Sequence, residues 1–274
     1  MKTLFISYKN ALNSRYSAHE ISLMFRELAS KHCNVPTQKL YFLEDIECSQ
    51  DQRELLVEDL EKLVSGVPFQ YVLGFTEFCG LKLNVNENVL IPRQETSELI
   101  EWITLREKSV RKILDVGTGS GCIALALKNN FSDADVWAVD KSEKALVVAA
   151  KNADETALFV NFRQLDMLTD LDTLGQDFDI VVSNPPYIMP SEKAEMSDEV
   201  LSHEPHMALF VPEEDPLIYY RAVAEFAFKC DSSVYFEINP LLSTQTCEML
   251  MEIGFQEIEI KKDISKKPRM IWAK

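Results

Sequence analysis

Apolar residues recur at helical spacing through the first quarter of the chain. Ile21, Met24, Phe25 and Leu28 fall three or four positions apart, which places them on one face of a helix. Ser17-Ala-His-Glu20 directly precedes them and has the form of a capping box, in which serine and glutamate satisfy each other's free backbone amides. A second helix follows Ser49, with Leu56, Leu60, Leu63 and Val64 on one face. It ends at Gly66, a residue able to take the left-handed turn beyond a helix. Between the two, VPTQKLYFLEDIE predicts a further short helix. A small helical domain is expected over residues 1–73, closed by Gly66-Val-Pro68 and Gly74, where glycine and proline break the pattern.

The period then changes. Leu81, Leu83 and Val85 alternate with polar residues, and Asn86-Glu-Asn88 offers a turn before Val89-Leu-Ile91. Residues 74–95 thus read as a β-hairpin linker, since alternation at period two marks a half-buried strand. From residue 96 helices and strands alternate. A helix carrying Leu99, Ile100 and Ile103 leads to the strand KILDV; then come CIALALKNN (helix), DVWAVD (strand), SEKALVVAAKNA (helix), FVNFRQLD and FDIVVSNPPY (strands). After a loop, the helix PLIYYRAVAEFAFKC, the strand SSVYFEIN and the helix STQTCEMLMEIGF follow. The run closes on QEIEIKKDI and PRMIWAK, two strands too close for a crossover helix between them. Such alternation builds βαβ units on a parallel sheet, with the last two strands pairing antiparallel. The expected fold over 96–274 is α/β: a seven-stranded, doubly wound, Rossmann-like sheet.

Composition narrows the setting. The 274 residues are 46% hydrophobic and 26% charged, ordinary for a soluble globular protein. No apolar run reaches membrane-spanning length and the first twenty residues lack a signal-peptide core, so no membrane partner and a cytoplasmic location are expected. The six cysteines, Cys33, Cys48, Cys79, Cys122, Cys230 and Cys247, are scattered without a CxxC pair and read as reduced, mostly buried thiols. His203 and His206 sit in HEPH without further ligand spacing, and no metal is expected. The formal net charge of −16 repels phosphate backbones, because nucleic-acid affinity comes largely from Lys and Arg. Direct DNA binding is not expected, and the chain is taken as a monomer.

The first strand of the alternating region ends in Asp115-Val116-Gly117-Thr118-Gly119-Ser120-Gly121. Glycines in a strand-turn-helix let the backbone approach a ligand, and the pattern alone admits NAD, FAD or S-adenosylmethionine. Two details favour the last. Asp140 ends the next strand, 19 residues after Gly121, placed to accept from ribose hydroxyls. The third glycine of a dinucleotide fingerprint would fall at Cys122. Asp115 is a candidate for orienting the methionine end of the cofactor, or else caps the turn. Asp166 ends the third strand, where adenine would lie, and Met167 is placed to pack on the ring; an ordinary strand-end acid is the alternative for Asp166.

The fourth strand ends in Asn184-Pro185-Pro186-Tyr187. A planar amide nitrogen has its lone pair delocalised and both N–H bonds in one plane. If the Asn184 side-chain oxygen and the Pro185 carbonyl each accept one N–H, the π face of that nitrogen is fixed toward an electrophilic methyl. The same acceptors stabilise the positive charge that grows during attack. Tyr187 can stack on the planar group. A methyltransferase acting on adenine, guanine or glutamine nitrogen fits this tetrapeptide; a nicotinamide oxidoreductase or a nucleotide-binding module leaves it unexplained.

The segments GVPFQYVLGFTEFCG (66–80), VLIPRQET (89–96), DVGTGSG (115–121), NPPYI (184–188) and EPHMALF (204–210) together resemble the HemK/PrmC protein-glutamine methyltransferases. The resemblance implies N5-methylation of the glutamine in the GGQ loop of class I peptide-chain release factors. A ribosomal-protein glutamine methyltransferase or an adenine-N6 methyltransferase is the rival reading. It further implies that Gly117 to Gly121, Asp140, Met167 and Asn184 contact S-adenosylmethionine, and that Asn184 to Tyr187 hold the glutamine. Arg93 and Glu95 then lie near the mouth of the site, either touching substrate or anchoring the hairpin through an ion pair. The chain departs from the family at Gln94 (usually Pro), Ser97 (usually an acid), Met167 (commonly Trp) and Asn239 (usually Gly).

Overall fold

A computed structural model describes residues 1–41, 47–175 and 177–274. Contacts divide these into two units, Met1–Phe75 with Ser197–His203, and Thr76–Met196 with Glu204–Lys274.

The first unit contains α1 (Lys2–Leu12), α2 (Ala18–Cys33), α3 (Gln50–Val64) and α4 (Phe69–Leu73). The expected capping box forms, the Ser17 hydroxyl accepting from the Glu20 amide, and the structure adds a second at the start of α3, where the Ser49 hydroxyl accepts from the Gln52 amide. The apolar faces enclose Tyr8, Leu12, Phe25, Leu28, Leu56 and Leu63. The buried Tyr8 hydroxyl donates to the Leu56 carbonyl at 2.6 Å, so the polar tip of the ring is satisfied inside the core. The short helix expected between α2 and α3 is a 3-10 turn at Thr37–Tyr41, and its expected continuation over 42–46 lies outside the described residues.

The second unit begins with the hairpin of β1 (Phe75–Phe78) and β2 (Leu81–Asn84). Its turn is Cys79-Gly80, with φ of 48° and 77°, the positive pair that a two-residue turn needs to match strand twist. The turn therefore precedes Leu81, and Asn86-Glu-Asn88 is not the hairpin's reversal. Val89 and Ile91 are buried, and the Val89 amide donates to the Asn86 carbonyl at 3.1 Å, so the segment packs as a turn and not as a strand.

Then α5 (Gln94–Arg106), β3 (Lys112–Val116), α6 (Cys122–Asn130), β4 (Asp135–Asp140), α7 (Glu143–Thr156), β5 (Asn161–Gln164) and β6 (Ile180–Ser183) follow in turn. Two short helices break the long loop after β6: α8 (Asp198–His203), whose residues group with the first unit, and α9 (His206–Leu209). Next come α10 (Ile218–Lys229), β7 (Ser233–Glu237), α11 (Ser243–Ile253), β8 (Ile258–Lys262) and β9 (Pro268–Ala273). The seven strands are ordered β5-β4-β3-β6-β7-β9-β8. All pairs from β5 to β7 are parallel, and β9 runs antiparallel to both β7 and β8. The central strands β3, β6 and β7 are buried almost throughout and their apolar side chains pack on both faces, as a helix-covered parallel sheet requires. Strand order reverses between β3 and β6, and the crevice at their carboxyl ends is where such sheets bind ligands.

Among the described residues no helix is long and apolar enough to cross a membrane. The cysteines are free thiols, but only Cys230 is fully buried, the other five being half-buried.

Candidate active site

The carboxyl ends of β3, β4 and β6 open into one cavity lined by Gly117, Thr118, Gly119, Ser120, Asp140 and Asn184, among others. Asp166, Met167, Pro186 and Arg93 also line it. Asp115, Gly121, Pro185, Tyr187 and Glu95 do not.

Asp115 is fully buried under the loop. Its Oδ2 accepts from the Thr118 hydroxyl at 2.6 Å and from the Ala124 amide at 3.1 Å, so it bends the loop and caps the first turn of α6. Its Oδ1 has no partner among the described residues. Burial drives the carboxyl up to about 7, against those two hydrogen bonds and with a further push from Asp140. Asp140 ends β4 and curls back on the same loop. Its Oδ2 accepts from the Gly119 amide at 2.9 Å and its Oδ1 from the Ser142 amide at 2.8 Å. Burial raises this carboxyl too, countered by those amides.

Two glycines show different constraints. Gly119, at φ +55°, would place a Cβ in open space, so its bare backbone edge faces the cavity. Gly121, at φ +82°, would bring a Cβ within 3.2 Å of the Ala149 Cβ, so it serves the packing of α6 on α7. The methyl of Met167 lies against Gly117, within 3.1 Å of where a Cβ would stand. Asp166 accepts from the Leu168 amide and pairs with Lys141 at 2.7 Å.

The Asn184-Tyr187 turn is held by a buried hydrogen-bond chain. Asn184 Nδ2 donates to Thr96 Oγ1 at 3.3 Å, and the Thr96 hydroxyl donates to Glu237 Oε2 at 2.6 Å. The Tyr187 hydroxyl donates to Glu237 Oε1 at 3.0 Å. Asn239, where the resembling family carries glycine, donates from Nδ2 to the Tyr187 carbonyl at 3.1 Å and to Glu192 at 2.8 Å. Burial raises the Glu237 carboxyl, while Thr96, Tyr187 and the charge of Arg269 pull it down. Burial and the Glu237 charge push the Tyr187 phenol well above its ordinary value, so Tyr187 stays neutral and donating.

Thr96, Glu237 and Asn239 were not singled out by sequence reasoning as site residues. Thr96 closes the VLIPRQET segment, and the other two sit in the acid-Ile-Asn end of β7; those were the available signals. Arg93 pairs with Glu204, whose side chain is 1% exposed. This joins the segment before α5 to the start of the EPHMALF stretch, whose Met207, Ala208 and Phe210 wall the cavity. Phe210 also forms an isolated parallel bridge with Ile188, which ties that wall to the NPPY turn. Among the described residues Glu95 makes no such pair; it lies near Arg269 and Glu237. Gln94 and Ser97 meet at the first turn of α5, where the serine hydroxyl donates to the Gln94 carbonyl at 2.6 Å.

Residues 95–207 match the family model described as methyltransferase small domain. The release factor glutamine methyltransferase of Flavobacterium psychrophilum is 42% identical over 96% of this chain and 95% of its own. That of Bacteroides thetaiotaomicron is 38% identical over 97% and 96%. Among solved structures, the hMettl16 catalytic domain in complex with MAT2A 3'UTR hairpin 1 aligns with a TM-score of 0.62 at 14% identity, covering 91% of this chain and 90% of that one. This last likeness is one of fold alone.

Proposed function

Because the chain belongs to the release factor glutamine methyltransferase family, we propose that it transfers a methyl group from S-adenosylmethionine to the glutamine side-chain nitrogen in the GGQ loop of class I peptide-chain release factors. The observation that carries this reading is the meeting of Asn184 with the Gly117–Ser120 loop and Asp140 around one cavity.

The residues fit the cofactor. A loop whose Gly119 leaves open space admits a ligand against the backbone. Asp140 is anchored by two amides and keeps lone pairs for ribose hydroxyls. Met167 offers an apolar, polarisable face for adenine, and Asp166 borders it. When bound, S-adenosylmethionine supplies an electrophilic methyl on a sulfonium.

The protein contributes position and charge. Asn184 Oδ1 and the Pro185 carbonyl receive the two N–H groups of the substrate amide, which fixes its plane. Both acceptors stabilise the positive charge that grows on nitrogen, so no strong base is needed before attack. Tyr187, pinned by Glu237, stands outside the cavity lining and keeps the turn that carries Asn184 and Pro185 rigid. The helices of the first unit select the partner protein, and Arg93 and Glu95 border the path of its loop.

The test is mass spectrometry of a full-length class I release factor incubated with the protein and S-adenosylmethionine. One methyl on the GGQ glutamine, lost with Asn184→Ala, is expected. An unmodified glutamine with cofactor binding intact would overturn the substrate and turn the search to ribosomal proteins.

A further inference from the structure

A side-chain amide has two ends of nearly the same shape and opposite hydrogen-bonding character. The oxygen end accepts and the nitrogen end donates. If Asn184 receives the substrate amide, as proposed above, only its oxygen end can serve. Something must keep the nitrogen end from turning into the cavity.

The structure points to Thr96 and Glu237. Thr96 is 2% exposed and Glu237 1% exposed, so neither exchanges its partners with water. The Thr96 hydroxyl has one proton, and at 2.6 Å that proton goes to Glu237 Oε2. The other oxygen of Glu237 is taken by the Tyr187 hydroxyl, a second donor that keeps the carboxylate on the accepting side. What Thr96 has left for Asn184 is a lone pair. Only the NH2 end of Asn184 can meet it, at 3.3 Å, which directs Oδ1 away from Thr96.

We propose that Thr96 and Glu237 are positioning residues that set the orientation of the Asn184 amide, and that this orientation makes the site select a carboxamide over a carboxylate. An amide brings N–H groups to the Asn184 oxygen. A carboxylate brings only lone pairs, and two acceptors facing each other repel. The glutamate counterpart of the substrate is therefore rejected by the hydrogen-bond chain behind Asn184, although it has the same shape.

The experiment uses the full chain with a release factor and its GGQ glutamine-to-glutamate counterpart, the latter as a competitive inhibitor. Thr96→Val keeps the volume and removes the hydroxyl, freeing Asn184 to turn. It is expected to lower kcat by about tenfold or more, with S-adenosylmethionine affinity within about twofold of wild type. The preference for glutamine over glutamate in binding is expected to fall by a similar factor, about tenfold. Thr96→Ser restores both. Glu237→Gln, which keeps one accepting end and turns the other into a donor so that the Thr96 proton is no longer committed, serves as the second variant and is expected to lose part of the same preference. An unchanged glutamine preference in Thr96→Val and Glu237→Gln, whatever happens to the rate, would overturn the proposal. Asn184→Ala separates the two layers. If it is inactive while Thr96→Val keeps full preference, only the orienting role fails; if it stays active, the role of Asn184 itself fails and the proposal with it.

Discussion

The Asp140 carboxylate accepts a hydrogen bond from the Gly119 amide at 2.9 Å, so the acid that ends β4 holds the loop that ends β3. Asp140→Ala is thus expected to act twice, removing a ribose acceptor and releasing the loop. Cofactor affinity measured by calorimetry should fall by about tenfold or more, while the sheet, which does not depend on this contact, keeps its melting temperature within a few degrees. An unchanged affinity would move the ribose contact to another residue.

Gly119→Ala and Gly121→Ala should fail differently. The new methyl at position 119 enters open space on the cavity side, costing the protein only about 1 kcal/mol of left-handed backbone strain while obstructing the ligand. At position 121 the methyl meets Ala149 Cβ at 3.2 Å and Leu125 at 3.4 Å, so overpacking of about 1–3 kcal/mol is added to that strain. Thermal melts with and without S-adenosylmethionine check this. Gly119→Ala should lose the ligand-induced rise in melting temperature, and Gly121→Ala should melt lower before any ligand is added.

The buried Asp115 gives a stability that depends on pH. Its carboxyl stands at about 7 in the folded protein and near 3.9 in an unfolded chain. Folding thus favours the protonated form. The associated stability is full below about pH 4 and is lost as pH rises through about 7. Asp115→Asn keeps a hydrogen-bond acceptor and carries no charge. Relative to wild type it should gain stability progressively from about pH 5 to 7 and hold that gain above, by as much as about 4 kcal/mol. Urea melts of both proteins at pH 5, 6, 7 and 8 decide the matter, and a difference that does not change with pH would show the carboxylate charge is accommodated.

Arg93→Ala leaves Glu204 buried with neither oxygen paired, since Oε2 already lacks a partner among the described residues. Stranding a buried charge costs about 3–5 kcal/mol, or roughly 6–20 °C for a unit of this size. Adding Glu204→Gln should recover a good part of that loss. Limited proteolysis around residues 189–210 should speed up in the single variant and slow again in the double. Equal proteolysis rates would mean that this pair does not secure the cavity wall.

The helices and strands whose patterns are local were legible in the sequence. The serine caps at Ser17 and Ser49, the apolar strands β3 and β6, and the closing β8–β9 hairpin all lie where periodicity and turn chemistry place them. The hairpin reversal was harder to see. A cysteine at positive φ is an uncommon turn residue, and Asn86-Glu-Asn88 carried the stronger turn signal. The buried Val89 and Ile91 have strand-like composition, but the Val89 amide is taken up locally by the Asn86 carbonyl, so a turn wins over a strand. At the site, the glycine loop, Asp140 and Asn184 are recognisable because each sits at a strand end. The hydrogen-bond chain behind Asn184 is not, because Thr96 and Glu237 lie 88 and 53 positions away in sequence and meet only through sheet topology. The walls from 204 to 210 became visible as a resemblance and never as a pattern.

The placement of β9 bears on the order in which the molecule can be assembled. This strand slots between β7 and β8, opposite Phe236 and Glu237, and the Ile238 amide donates to the Arg269 carbonyl at 2.8 Å. On a ribosome, where the chain emerges from its amino end, the glycine loop, the NPPY turn and Glu237 are all made before the strand that flanks β7. Until Pro268–Ala273 inserts, β7 presents an open edge to its surroundings, and Glu237 lacks the charge of Arg269 beside it. The strand that covers the edge of β7 is thus made after every residue of the hydrogen-bond chain behind Asn184, and only with it does Arg269 bring its charge to Glu237.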